Sequence, residues 1–150
     1  MAAGAWTFYF EAKKYLMTGD IDLNGSVFRM TLHTSANTFD GTKSVYNASI
    51  SGTEVAAGNG YAANGQALTG VTWTAGANAS TFRFNANSLV WTATGGNIAN
   101  IKSAIIWVSA AATANRRLLC RSQLTTAQFT LNQNNTLTIA PSATGIFNLV

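Results

Sequence analysis

His33, Cys120 and the carboxylates Glu11, Asp20, Asp22, Asp40 and Glu54 are the side chains of this sequence best suited to move a proton, attack a carbon or hold a metal. A nucleophile–histidine–acid relay needs the imidazole between a nucleophile and an orienting carboxylate. In VFRMTLHT, the single histidine shares a strand face with Thr31 and Arg29, and neither is an acid. Cys120 lies between Leu119 and Arg121, and Arg117 and Arg121 are near enough in sequence to lower its pKa. With the histidine far away along the chain, a strand cysteine is expected instead. Asp20, Asp22 and Asn24 place oxygens at alternate positions, as at the start of a calcium loop, but lack the distal glutamate that completes one. A solvated turn is the expectation there. No Cys/His cluster offers a zinc site. The sequence therefore predicts no catalysis, no metal and no cofactor.

The stretch EVAAGNGYAANG contains GNGYAA, which fits the G-x-G-x-x-G/A pattern of a dinucleotide site. That chemistry needs a helix start directly after the glycines and an acid about 20 residues on to grip the ribose. NGQALTGVTW follows, with two more glycines and a β-like segment, and no Asp or Glu occurs after Glu54. Gly-rich turns on either side of Tyr61 are predicted, with glycines supplying positive φ. Asn47-Ala-Ser49, Asn78-Ala-Ser80 and Asn134-Asn-Thr136 match the glycosylation pattern, as chance allows in a chain rich in Asn, Ser and Thr.

The elements that would position these groups follow from periodicity. AWTFYFEAKKYLM, residues 5–17, places Trp6, Tyr9, Phe10, Lys13 and Met17 on one face of an amphipathic helix, with Gly19 as its C-terminal stop. Beyond it the period becomes two. Phe28, Met30 and Leu32 alternate with Arg29, Thr31 and His33, which predicts a half-buried strand. Residues 34–52 read as a long polar loop with a short edge strand near Val45. GVTWT, TFRFN, the doubly apolar IKSAIIWVS, its partner RRLLCRSQL, and GIFNLV read as strands. FTL-NQNN-TLTI reads as a hairpin. The prediction is a single all-β domain over residues 1–150: a jelly-roll-like β-sandwich or a barrel of about 8 short antiparallel strands with one N-terminal helix.

Charged residues make up only 9% of the chain, well below the share of about 25% usual in soluble domains. Neutral polar side chains cost less to bury than charges, so such a surface suits contact with other protein. The net charge of +4 arises from residues 55–150, which hold Arg83, Lys102, Arg116, Arg117 and Arg121 and no acid. The bases are scattered and the aromatics alternate as core residues should, so nucleic acid is not the expected partner. No membrane span and no secretory signal are read. Lys13, Lys14, Arg83, Arg116, Arg117 and Arg121 are expected to contact an acidic protein surface. The four tryptophans also admit a sugar-binding platform, against which stands their place in apolar alternations.

Four blocks, KYLMTGDIDLNGSVFRMTLHTS with the helix before it, EVAAGNGYAANGQALTGVTW, FRFNANSLVWTATGGNIANIKSAIIW and LTIAPSATGIFNL, resemble a family of small proteins encoded among the structural genes of tailed bacteriophages. The resemblance covers most of the chain in order and is weakest over residues 34–52 and 109–117. It implies a virion structural protein assembled in the host bacterial cytoplasm. The type implied is a capsid decoration or cement protein that binds the major capsid protein or other virion proteins. The alternatives are a collar, tail or fibre-base component, or a carbohydrate-binding attachment module. Homo-oligomers, trimers above all, are expected.

Overall fold

The structure, a computed structural model, describes residues 4–76 and 80–149. Asn78, the second of the glycosylation candidates, lies outside the described residues. The elements run β1 (Trp6–Phe8), α1 (Phe10–Thr18), β2 (Phe28–His33), α2 (Ala48–Ser51), β3 (Gln66–Ala67), β4 (Thr72–Ala75) and β5 (Phe82–Asn85). They continue as β6 (Leu89–Thr92), β7 (Ile98–Ile101), β8 (Ser103–Val108), β9 (Leu118–Gln123), β10 (Phe129–Leu131), β11 (Thr136–Ile139) and β12 (Phe147–Leu149).

All the ladders are antiparallel, and the architecture is sandwich-like, not a closed barrel. The largest sheet has five strands in the order β1-β9-β8-β2-β3. A smaller sheet of three strands, β12-β5-β4, faces it. Phe84 of β5 meets Phe28 edge-on at 5.2 Å, and Phe147 of β12 meets Phe8 edge-on at 4.5 Å. Cross-strand partners share a face, so register places Phe8, Phe28, Met30, Leu32, Ala104, Ile106 and Cys120 on this inner side. The doubly apolar β8 is buried at every residue and sits at the centre of its sheet with β9 beside it, as the sequence predicts.

Three expectations are corrected. The helix over 5–17 is Phe10–Thr18, because Trp6–Phe8 finds a ladder on β9, pairing Trp6 with Ser122 and Phe8 with Cys120. Tyr9 is the extended N-cap residue, and Gly19 closes the helix at φ 81. The helix also packs by another face: Ala12 is buried and Tyr15 and Leu16 pack on the core, while Phe10 and Met17 remain 66% and 90% exposed. Second, β2 is not half-buried, since Thr31 and His33 are as hidden as Phe28 and Leu32. Residues 34–62 fold over this face. Third, FTL and TLTI do not pair with each other. β10 pairs with β7 and β11 with β6, so 129–139 runs as one bent strand beside 89–101. NQNN is the bend, held where Asn97 Oδ1 accepts from Gln133 N and Asn135 O accepts from Ala93 N.

The GNGYAA segment forms a tight turn in which Gly58 and Tyr61 exchange backbone hydrogen bonds of 2.8 and 2.9 Å. The next regular element is β3, not a helix. Gly65 leads into β3 at φ 61, and a Cβ there would lie 1.9 Å from the Met30 carbonyl oxygen. Gly95 has φ 79 but open space where its Cβ would be. Gly95→Ala should therefore cost only the left-handed backbone term of about 1–2 kcal/mol, and Gly65→Ala distinctly more. Urea unfolding of the two variants measures the gap, and equal costs would contradict the close approach at Gly65.

Candidate functional site

The outer face of the largest sheet carries a layer of polar and aromatic side chains, closed over by residues 34–62. Register puts Arg29 and Trp107, Thr31 and Ile105 with Arg121, and His33 with Ser103 on this face. α2 and the turns around it supply Tyr46, Ile50, Thr53 and Glu54. Asn47 caps α2, its side chain accepting from the Ser49 backbone N–H and hydroxyl, so the first glycosylation candidate has a local structural role. Asn134, the third, sits in the ribbon bend at φ 68.

The hydrogen-bond inventory fixes the histidine. Thr53 donates its hydroxyl hydrogen to the Ile50 carbonyl at 2.7 Å. Its oxygen then accepts from Asn37 Nδ2 at 2.9 Å and from His33 Nδ1 at 3.1 Å. Nδ1 thus carries the proton, and Nε2 accepts from the Thr31 hydroxyl at 2.9 Å. Burial, the largest cause, pushes the His33 pKa from 6.5 down to about 3; the nearby Arg121 charge adds to this, and the Thr53 backbone opposes it. His33 is a neutral, sealed cross-link between β2 and the covering chain.

Glu54 is the second centre. Tyr61 donates to Oε1 and Tyr46 to Oε2, both at 2.7 Å. Tyr61 also accepts the Leu32 N–H at 2.9 Å, which β3 is too short to pair. Tyr46 lies flat on Trp107 with centroids 4.2 Å apart and planes 3° from parallel. Burial, followed by the Glu54 charge and hydrogen bonds, pushes both phenol pKa values upward. Cys120 is fully buried on the opposite face, and burial likewise raises its thiol pKa.

The residues expected to meet a partner have separate placements. Arg117 stacks on Tyr15 at 4.2 Å and donates to its hydroxyl at 3.2 Å, which ties α1 to the sheet. Arg116 donates to the Ala110 carbonyl at 2.9 Å and lies over Trp107. Arg83 reaches the Ala143 carbonyl at 3.4 Å on the smaller sheet. Arg121 is only 8% exposed, beneath Phe39, with its guanidinium on the Asn37 carbonyl at 3.3 Å. Burial lowers its pKa. Lys13 and Lys14 are exposed together on α1, with Lys14 3.5 Å from Glu11. At the calcium candidate, Asp22 Oδ1 accepts from the Asn24 backbone N–H and Asp20 Oδ2 from Thr18, the local bonds of a turn and a helix end.

Sequence reasoning missed the tyrosine–glutamate clamp. Its trace is Tyr46 and Tyr61 placed eight and seven residues on either side of Glu54, the last acid of the chain. Comparison of the chain with protein-family models, with curated proteins and with solved structures gives no match.

Tyr61→Phe should destabilise the fold by about 1–3 kcal/mol, since it strands the buried Leu32 N–H as well as Glu54 Oε1. Tyr46→Phe keeps its indole stack and should cost less, about 1 kcal/mol. Urea unfolding ranks the two, and the reverse order contradicts the assignment. The histidine sets a pH dependence. An unfolded chain binds a proton near pH 6.5 that the folded chain refuses until about pH 3. Stability from this source is complete above pH 6.5 and declines as pH falls, by up to about 1.4 kcal/mol per unit. His33→Gln should flatten that slope between pH 6.5 and 5, above the carboxylate range, in denaturant titrations.

Proposed function

We propose that the chain is a structural protein of a tailed-phage virion, a decoration or cement protein seated on the outer shell by protein–protein contact. The sequence blocks quoted above support this reading, and one observation carries it. Phe10, Lys13, Lys14 and Met17 follow the i, i+3, i+4, i+7 rule and lie together on the outer side of α1. Their opposite neighbours Ala12, Tyr15 and Leu16 hold the helix down on the core. Two large apolar side chains at 66% and 90% exposure, with two ammonium groups between them, match a partner groove that is apolar along its floor and carboxylate-bearing at its rim.

Burying Phe10 and Met17 is worth about 1.5–3 kcal/mol each, which is modest for one contact. Copies joined as trimers at local threefold positions would multiply it through effective concentration. Arg117, bound to Tyr15 behind the helix, keeps the face rigid and limits the entropy lost on docking.

The test adds purified chain to shells lacking it and counts bound copies by quantitative gel. The wild type should saturate the shells. Lys13→Glu with Met17→Asp should cut occupancy at least about tenfold with an unchanged melting temperature, because neither side chain packs inside. Absence of binding by the wild type, or full binding by the variant, contradicts the proposal.

A further inference from the structure

The C-terminal end of α1, the turn after it and the edge of the β4-β5-β12 sheet enclose an open groove of about 460 Å³. Leu16 and Leu149 line it with Trp73, Asp22 and Asn24, over the buried Ile21 and Leu23. Trp73 is half-buried and stacks on Phe82 at 5.5 Å, and Phe82 is itself 47% exposed. Asp22 uses Oδ1 to accept the Asn24 N–H, yet it has no cation within ion-pair distance among the described residues, where Lys14–Glu11 is the salt bridge found. Among the described residues, no Lys or Arg lines the groove. On a chain of net charge +4, this is an anionic, aromatic recess.

We infer that the groove receives a basic side chain, an alkyl stem ending in a cation, presented by a partner protein. An anionic guest would face Asp22 with no cation to balance it. An alkyl stem suits the aliphatic part of the lining, and its cationic head is drawn to a groove that carries a carboxylate and an indole, Asp22 and Trp73. The inference stands on the groove and does not depend on where in a particle the chain sits. It concerns a surface distinct from the Phe10–Met17 face of α1, so the two tests fail separately.

The probe is n-hexylammonium, titrated into the full chain, with n-hexanoate and methyl β-glucoside as comparators. Indole N–H resonances report the binding, and Trp73→Phe assigns the relevant one. Hexylammonium should shift the Trp73 signal saturably, and hexanoate should not. Asp22→Asn preserves an oxygen to accept the Asn24 N–H, so the turn should stay folded, while affinity should fall about threefold to fivefold. An unchanged melting temperature for Asp22→Asn keeps that comparison sound. No shift with hexylammonium, equal binding of hexanoate, unchanged affinity in Asp22→Asn, or saturation by the glucoside alone would each overturn the inference.

Discussion

A sheet buried on both faces needs two covers, and here only one of them is another sheet. The second cover, residues 34–62, is irregular chain around the short helix α2, and it has no strand ladder of its own. Buried N–H and C=O groups left unpaired cost far more than a paired one gains, so this cover must be hydrogen-bonded at many points to exist at all. Thr53 and Glu54 do this. The Thr53 hydroxyl gathers Ile50, Asn37 and His33, and Glu54 gathers Tyr46 and Tyr61. Val55 and Thr34 add backbone bonds to Leu32 and Thr53 at 2.9 and 3.0 Å. Of the side chains most capable of chemistry in the sequence, His33 and Glu54 are committed to this closure.

That commitment shapes what the surface offers. Arg83, Arg116 and Arg121 all place guanidinium groups on carbonyl oxygens of their own chain, and Arg117 is fixed on Tyr15. Their planar forks act as clips between segments. Among the six basic residues singled out from sequence, the two lysines of α1 remain turned outward without a carbonyl partner, beside Phe10 and Met17. The proposed docking face and the recess under Trp73 are what is left once internal bonds have been made. The first is cationic and apolar, the second anionic and aromatic.

Much of the framework was legible in the residues. The doubly apolar Ala104–Val108 run announced a central strand, RRLLCRSQL its partner, and Gly19 the end of the helix. The misreadings share a cause, because local periodicity does not report what lies across a tertiary contact. Thr31 and His33 look solvent-facing until a cover with matching hydroxyls is laid on them. Phe10 and Met17 look like a buried helix face, yet the ladder of Trp6–Phe8 on β9 sets the helix so that Ala12, Tyr15 and Leu16 face in. NQNN looks like a reversal because both flanking segments are strands, but each had a longer-range partner in β7 and β6. The Glu54 clamp was illegible for the same reason, since two tyrosines and a carboxylate declare nothing until a turn brings them together.

Native-state hydrogen exchange tests the closure most directly. The relevant amides are Leu32, Thr34 and Val55, bonded respectively to the Tyr61 hydroxyl, Thr53 and Leu32. If residues 34–62 are an integral half of the core, these amides open only with global unfolding, within about 1 kcal/mol of those in β8. Exchange of the same amides through a separate, lower-energy opening that leaves β8 protected would show the cover to be a loosely held loop and would contradict the account.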